Sequence, residues 1–178
     1  YAYIKGGENG GAFSAAAVVS MACDKIYMAP GTVIGAATMI STDPNGKPID
    51  MKEALGDTVG EKMDSGWRNY LASLASAKNR PSSLAVAMAY KDIEVVEVNE
   101  NGKKRIIDAS EKKPESKVVK VWSKKGEILT LPAKDALECG MADKIFLSRL
   151  DLLEHHNFAS AQVITDDSIA EARKMYDK

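Results

Sequence analysis

The sequence predicts an α/β fold: parallel strands joined by helical crossovers, with a β-rich insertion in the second half. Three observations carry that reading. Gly10 to Asp24 (G-G-A-F-S-A-A-A-V-V-S-M-A-C-D) has the form of a strand-to-helix turn with a hydroxyl at its apex, and the apolar run K-I-Y-M-A at 25–29 follows as a short buried strand. A strand, a helix and a second strand of this kind make a parallel crossover. Residues 57–78 place Trp67, Tyr70, Leu71, Leu74 and Ala75 at three- and four-residue steps, one apolar stripe of a long helix. Residues 93–98, 105–107 and 118–122 then cluster or alternate β-branched side chains between charged turns, as hairpin-like strands do.

Composition sets the bounds. The chain has 178 residues, is 45% hydrophobic and carries a formal net charge of -1, enough for one globular core with an appendage. Near-neutral charge argues against nucleic acid as the main partner. No apolar run reaches the roughly 18 residues that span a bilayer, and no signal peptide is visible. Cys23 and Cys139 fit no metal-ligand spacing and build no disulfide framework, so both read as structural thiols, with a disulfide between them as the lesser alternative.

In chain order, Tyr1 to Lys5 reads as a parallel core strand and K-G-G-E-N-G-G at 5–11 as a flexible approach to Ser14. Neither G-x-x-x-x-G-K-[ST] nor G-x-G-x-x-G is present, so these glycines do not describe a phosphate loop. Glycine ahead of Ser14 permits a sharp turn, and a helix starting there holds the serine at its positive end. First-turn N–H groups lack an intrahelical acceptor and favour an anion. Two readings of Ser14 follow: an N-cap of a buried helix over 15–23, or a nucleophile beside an oxyanion site. Pro30 and Gly31 make a turn, and 32–38 is a second extended piece. Residues 39–55, with D-P-N-G-K-P at 43–48, read as a loop without regular structure. Residues 81–90 predict a short helix with Pro81 in its first turn. The charged runs N-E-N-G-K-K and E-K-K-P-E-S-K read as solvated faces, and the S-x-x-K match at Ser110 to Lys113 as chance. Residues 129–140 predict an N-capped helix closed by Gly140, 141–146 a strand, 150–156 a helix, and 158–178 a strand and helix leading out of the domain.

A-F-S-A-A, a helix ending at Asp24 and I-Y-M-A-P-G-T-V-I-G-A-A together resemble the signature of the membrane-bound Clp-class serine proteases. These are the amino-terminal domains of nodulation efficiency protein D homologues, also called stomatin operon partner proteins, related to signal peptide peptidase A. L-T-L-P-A-K-D-A-L-E-C-G at 129–140 and Asp143 are similar to a second family segment, and N-Y-L-A-S-L-A at 69–75 to a third. The resemblance covers about residues 1–157, leaving 158–178 as a tail toward a membrane region. It implies a Clp/crotonase-type fold whose first elements would precede Tyr1, so that an isolated piece would be a weak or inactive peptidase. It implies a serine endopeptidase with Ser14 as nucleophile, Lys62 as general base, the Ala15 N–H as an oxyanion donor, and Gly35, Ala36 and Ala37 along the substrate. No cofactor and no metal are implied. The implied substrate is an apolar stretch of a membrane-associated polypeptide, with a stomatin-like protein as candidate. The implied setting is membrane-associated with this domain on the extracytoplasmic side, and the implied assembly is a dimer or higher homo-oligomer with 92–122 at a contact. The family glycine two positions after the serine is Ala16 here.

A lysine in water is protonated at neutral pH, but burial disfavours its charged form, and an amine so adjusted can take the serine proton and return it to the leaving amine. Lys47 and Lys52, in the 39–55 segment, are the reserve bases. His155 and His156 are the only histidines and would have to reach Ser14 to form a triad. Two other classes stay open: a scaffold that keeps the fold without catalysis, and an acyl-CoA-processing enzyme of the wider superfamily.

Overall fold

Two parallel crossovers interlock around one short apolar helix. Strand β1 (Ala2–Ile4) leads to β2 (Gly11–Phe13), Ser14 turns the chain, and α1 (Ala15–Ala22) leads to β3 (Ile26–Met28) and β4 (Val33–Gly35). β1 pairs in parallel with β3, and β2 in parallel with β4. Both connections pass through α1, so a shift of this helix disturbs two sheets. The computed structural model describes residues 1–6, 10–100, 102–158 and 160–162; the strand and helix expected over 158–178 fall largely on residues outside that set. Contacts divide the chain into Tyr1–Leu147 and a second unit, Ser148–Lys178.

In the first unit, β11 (Lys144–Ile145) joins β3 in parallel and β10 (Thr130–Pro132) joins β4 antiparallel, giving sheet orders β1-β3-β11 and β10-β4-β2. β1, expected as a core strand, is an edge of its described sheet, with Ile4 buried and Tyr3 half-buried. Ile4, Met28, Ile34 and Leu131 from the sheets meet Met21 of α1 and Leu71 in one core. Leu71 is fully buried, and a side chain of that size contributes about 2 to 3 kcal/mol by leaving water.

The long helix is α3 (Asp57–Ala77); of the expected stripe Leu71 and Ala75 are buried and Trp67 and Leu74 half-buried, but Tyr70 is exposed, stacked on the Trp67 ring at the edge of the stripe, and Gly60 is buried as well. The preceding segment differs from expectation. It contains a small hairpin, β5 (Ser41–Thr42) with β6 (Pro48–Ile49), then α2 (Met51–Leu55). Asp43 accepts from the Asn45 and Lys47 N–H groups to close the hairpin turn, and Asp50 caps α2 by accepting from the Glu53 N–H. Polar residues that looked like loop chemistry are here the turn and cap of regular elements.

Helix α4 (Ser82–Ala87) is buried from Leu84 onward. Strands β7 (Val95–Glu100), β8 (Lys103–Asp108) and β9 (Lys117–Ser123) form the expected insertion as an antiparallel sheet ordered β8-β7-β9. Helix α5 (Ala133–Glu138) ends at Gly140, whose φ of 77° suits glycine, but its N-cap position is Pro132 and no side chain caps it. In the second unit, α6 (Arg149–His155) begins with a reciprocal Ser148 and Asp151 capping box.

Candidate active site

The site starts from a glycine requirement. A Cβ on Gly11 would lie 2.7 Å from Val33 Cγ2 and 2.9 Å from the Val33 carbonyl oxygen, so only glycine lets β2 lie this close to β4. Three residues on, Ser14 takes φ 53° and ψ -126°, a conformation that costs a non-glycine residue about 1 to 3 kcal/mol and persists only where its surroundings over-determine it. They do. The Ser14 N–H donates to the carbonyls of both Gly35 (3.1 Å) and Ala36 (3.0 Å), while the Ser14 carbonyl accepts from Ala17 and Val18 as α1 begins.

The hydroxyl is left over. Ser14 holds the N-cap position of α1, yet its side chain makes no cap hydrogen bond, and the residue is exposed. That removes the capping explanation for the serine. Ala15 and Ala16 head the helix, where an amide has no carbonyl one turn behind it and points its N–H toward the open end. A strained serine with a free hydroxyl next to undirected amides suits attack on a carbonyl and stabilisation of the resulting oxyanion.

Gly35, Ala36 and Ala37 lie directly beside this turn. Gly35 has φ 148°, and a Cβ there would overlap the Leu129 carbonyl oxygen. Ala36 has φ 50° and donates its N–H to Leu129 (3.1 Å), and Ala37 donates to the Met88 carbonyl (2.6 Å). The Ala37 carbonyl in turn accepts from the indole of Trp67 (3.2 Å), whose ring stacks on Tyr70 at 5.5 Å. The sequence reading used Trp67 only as a stripe residue. Its signal was available, since a half-buried indole N–H seeks an acceptor.

Lys62 lies on α3 and is exposed; among the described residues no hydrogen bond or ion pair engages its amine, and none links it to Ser14. Its position is half a turn of helix away from the buried Leu71 side. Lys52, on α2, has its amine 3.5 Å from Glu61, and α2 crosses α3 where a Cβ on Gly60 would lie 2.6 Å from Lys52 Cα. Lys47 is exposed in the β5–β6 hairpin. The structure therefore bonds Ser14 to Gly35 and Ala36, with the adjacent Ala37 carbonyl held by the Trp67 indole, and among the described residues joins none of the three lysines to it. His155 and His156 close α6 in the second unit, with their rings 5.0 Å apart. Among the described residues no group of His, Cys, Asp or Glu is placed to hold a metal.

The other end of α1 carries a group that sequence reasoning missed. Arg80 is 6% exposed. It donates to the carbonyls of Met21 (3.0 Å), Asp24 (3.3 Å) and Met141 (3.1 Å), and its guanidinium lies 3.5 Å from the Asp143 carboxylate. Asp143 also accepts from Lys25 (2.8 Å) and the Ile26 N–H (2.9 Å). Burial alone would raise the Asp143 carboxyl, but these hydrogen bonds with the charges of Lys25 and Arg80 outweigh it and hold the group below its ordinary value. Cys139 is buried, which pushes its thiol up to about 11, and Cys23 and Cys139 are both free.

The fold has solved counterparts. A membrane-bound stomatin-specific protease, solved as a lysine-to-alanine mutant with a substrate peptide, superposes with a TM-score of 0.56 at 20% identity over 92% of this chain and 57% of that one. A serine-to-alanine mutant of the same protease gives 0.55 at 20% identity over 92% and 60%. Among curated proteins, membrane protein NfeD1b of Bacillus subtilis (strain 168) is 28% identical over 152 residues, which is 85% of this chain. The chain spans 27% of that relative's length. Residues 2–113 match the family model described as NfeD1b, N-terminal domain. The chain belongs to the NfeD1b N-terminal domain family.

Proposed function

We propose that this domain is a serine endopeptidase of the Clp/crotonase type in which Ser14 attacks the scissile carbonyl, the Ala15 N–H receives the oxyanion and Lys62 is the general base. The observation that carries the proposal is Ser14 itself: a strained backbone held by two carbonyls, with a hydroxyl that caps nothing. The solved counterparts support it, since a serine and a lysine are the residues replaced in those structures of a protease, one with peptide bound.

Lys62 is preferred to Lys52 on electrostatic grounds. The Lys52 amine lies 3.5 Å from the Glu61 carboxylate, whereas Lys62 has no carboxylate partner among the described residues. Lys62 precedes Trp67 by five positions, about 7 to 8 Å along the helix axis and about 140° around it, so a movement of α3 would bring its amine to the turn that Trp67 contacts through Ala37. Val59 and Met63 flank Lys62 and stand 48% and 44% exposed, with Leu55 at 45% and Ile40 at 64%. An apolar peptide laid across these groups would exclude water from the amine, so the substrate would complete the base. A stretch of a membrane-associated, stomatin-like polypeptide is the proposed substrate, and the proposed workplace is a membrane surface.

The test is hydrolysis of an unstructured protein followed by mass spectrometry of the products. Ser14→Ala should remove turnover. Lys62→Arg should be as damaging as Lys62→Ala, because a guanidinium does not release its proton, and each should cost roughly a hundred- to ten-thousand-fold. Normal turnover by Ser14→Ala ends the proposal. Normal turnover by Lys62→Arg with loss in Lys52→Ala moves the base to α2.

A further inference from the structure

Charge is unevenly distributed along this chain. Residues 103–125 hold nine of its 24 Lys and Arg residues and only three of its 25 Asp and Glu, a formal excess of six positive charges in a chain of net charge -1. The β8-β7-β9 sheet concentrates part of that excess at one end. Asn99 of β7 lies opposite both Lys104 of β8 and Lys117 of β9, and Lys103 opposite Glu100. Carboxylates answer some of these cations: Glu97 pairs with Lys104, Glu100 with Arg105 and Glu138 with Lys120. Lys103, Lys113 and Lys117 have no such ion pair among the described residues, and all three are exposed. Directly after Lys117, on the edge strand β9, Val118, Val119 and Val121 stand 40%, 44% and 44% exposed.

Cations interleaved with exposed aliphatic groups are the surface that binds an anionic bilayer peripherally: the lysines are drawn by the surface potential, and the short apolar side chains enter the headgroup boundary. Two other occupants fit less well. Single-stranded nucleic acid is gripped by exposed aromatics, but the one aromatic residue of this sheet, Trp122, is buried and covered by Lys120 at 3.6 Å. A symmetric pair of chains through this sheet would set the same cations against each other. No described helix is long and apolar enough to cross a membrane, so contact made by the described residues is at the surface.

We propose that the tip of the β7–β8 hairpin and strand β9 form a docking surface for an anionic lipid bilayer, with Lys103, Lys113 and Lys117 as the electrostatic contacts and Val118, Val119 and Val121 as the inserted groups. This is independent of the chemistry at Ser14.

The experiment is co-sedimentation of the purified chain with vesicles of phosphatidylcholine alone or with about one-third phosphatidylglycerol, at low and high salt. The expected result is pelleting with the anionic vesicles only, abolished by high salt. Lys113→Glu with Lys117→Glu should lower the partition about tenfold or more, and Val118→Ser with Val119→Ser several-fold at unchanged charge. Lys91→Glu with Lys134→Glu, the same charge change elsewhere, should leave it within about twofold. Thermal melting of each variant identifies a folding defect, and the lipid and salt dependence of the unaltered chain stands without any variant. Absence of pelleting at low salt, equal pelleting with uncharged vesicles, or equal loss in both charge-reversal pairs overturns the proposal. So does tighter binding to single-stranded DNA than to the vesicles, which reassigns the patch to nucleic acid. A dimer in light scattering that the valine substitutions dissolve, with no vesicle binding, reassigns it to a second copy.

Discussion

The two ends of α1 solve opposite problems. At its C-terminal end every strong polar group has a partner: Arg80 spends its donors on three carbonyls and the Asp143 carboxylate, and Asp143 accepts from Lys25 and Ile26 as well. At its N-terminal end the backbone is strained, the first-turn amides have no carbonyl one turn behind them, and the Ser14 hydroxyl has no cap bond. A buried arginine with satisfied donors has a structural explanation. A strained serine whose hydroxyl serves no structural purpose calls for a functional one. The saturated end fixes the helix so that the unsaturated end can be held in an unfavourable conformation.

The largest expected effect falls on the saturated end. Arg80→Met leaves three carbonyls without their donor and takes one of three partners from the Asp143 carboxylate, and should lower stability by about 3 to 5 kcal/mol, read as a drop in urea midpoint. A loss below about 1 kcal/mol would mean that the knot does not secure α1. Gly35→Ala comes next, because it brings both an overlap with Leu129 and a disfavoured φ; it should cost about 2 to 3 kcal/mol and slow any reaction of Ser14, whose N–H depends on the Gly35 carbonyl.

Part of this contrast was legible in the sequence. G-G-A-F-S-A-A announces a turn and a helix because glycine permission and an apolar run are local properties, and Gly35 to Ala37 followed from resemblance. The long-range facts were not local. The antiparallel register of Leu131 against Ile34 and the indole of Trp67 on Ala37 arise only when distant segments meet. Arg80 stands in N-R-P, which says nothing of burial, because its acceptors are main-chain carbonyls that every sequence possesses. The D-P-N-G-K-P segment reads equally as loop or hairpin, since Asp43 supplies the same turn chemistry to both. The outward face of α1 also departed from expectation: Ala15, Ala16, Val19 and Ala22 are exposed although the run reads as buried.

Acid sharpens the comparison from the saturated side. The Asp143 carboxyl is held below its ordinary value when folded, so its contribution is fully present above about pH 4, the unfolded value, and is lost as pH falls through the lower folded value. Stability should therefore decline below about pH 4 more steeply in the unaltered chain than in Asp143→Asn. Parallel acid profiles would remove Asp143 from the account. The smallest effect belongs to the strained end. Ser14→Gly relieves the φ of 53° and should raise the melting temperature, by up to about 1 kcal/mol of stability, while removing activity. A lower melting temperature would show that the serine side chain contributes to the fold after all.

The most direct measurement is the rate and position of covalent labelling by a fluorophosphonate, read by peptide mass spectrometry on the folded chain. If the free hydroxyl of Ser14 is the nucleophile, the adduct forms on Ser14 alone, disappears in Ser14→Ala without loss of folding, and forms about a hundredfold more slowly in Lys62→Ala. An adduct on another serine, or no adduct on a folded chain under conditions where a serine peptidase is labelled, would contradict the account.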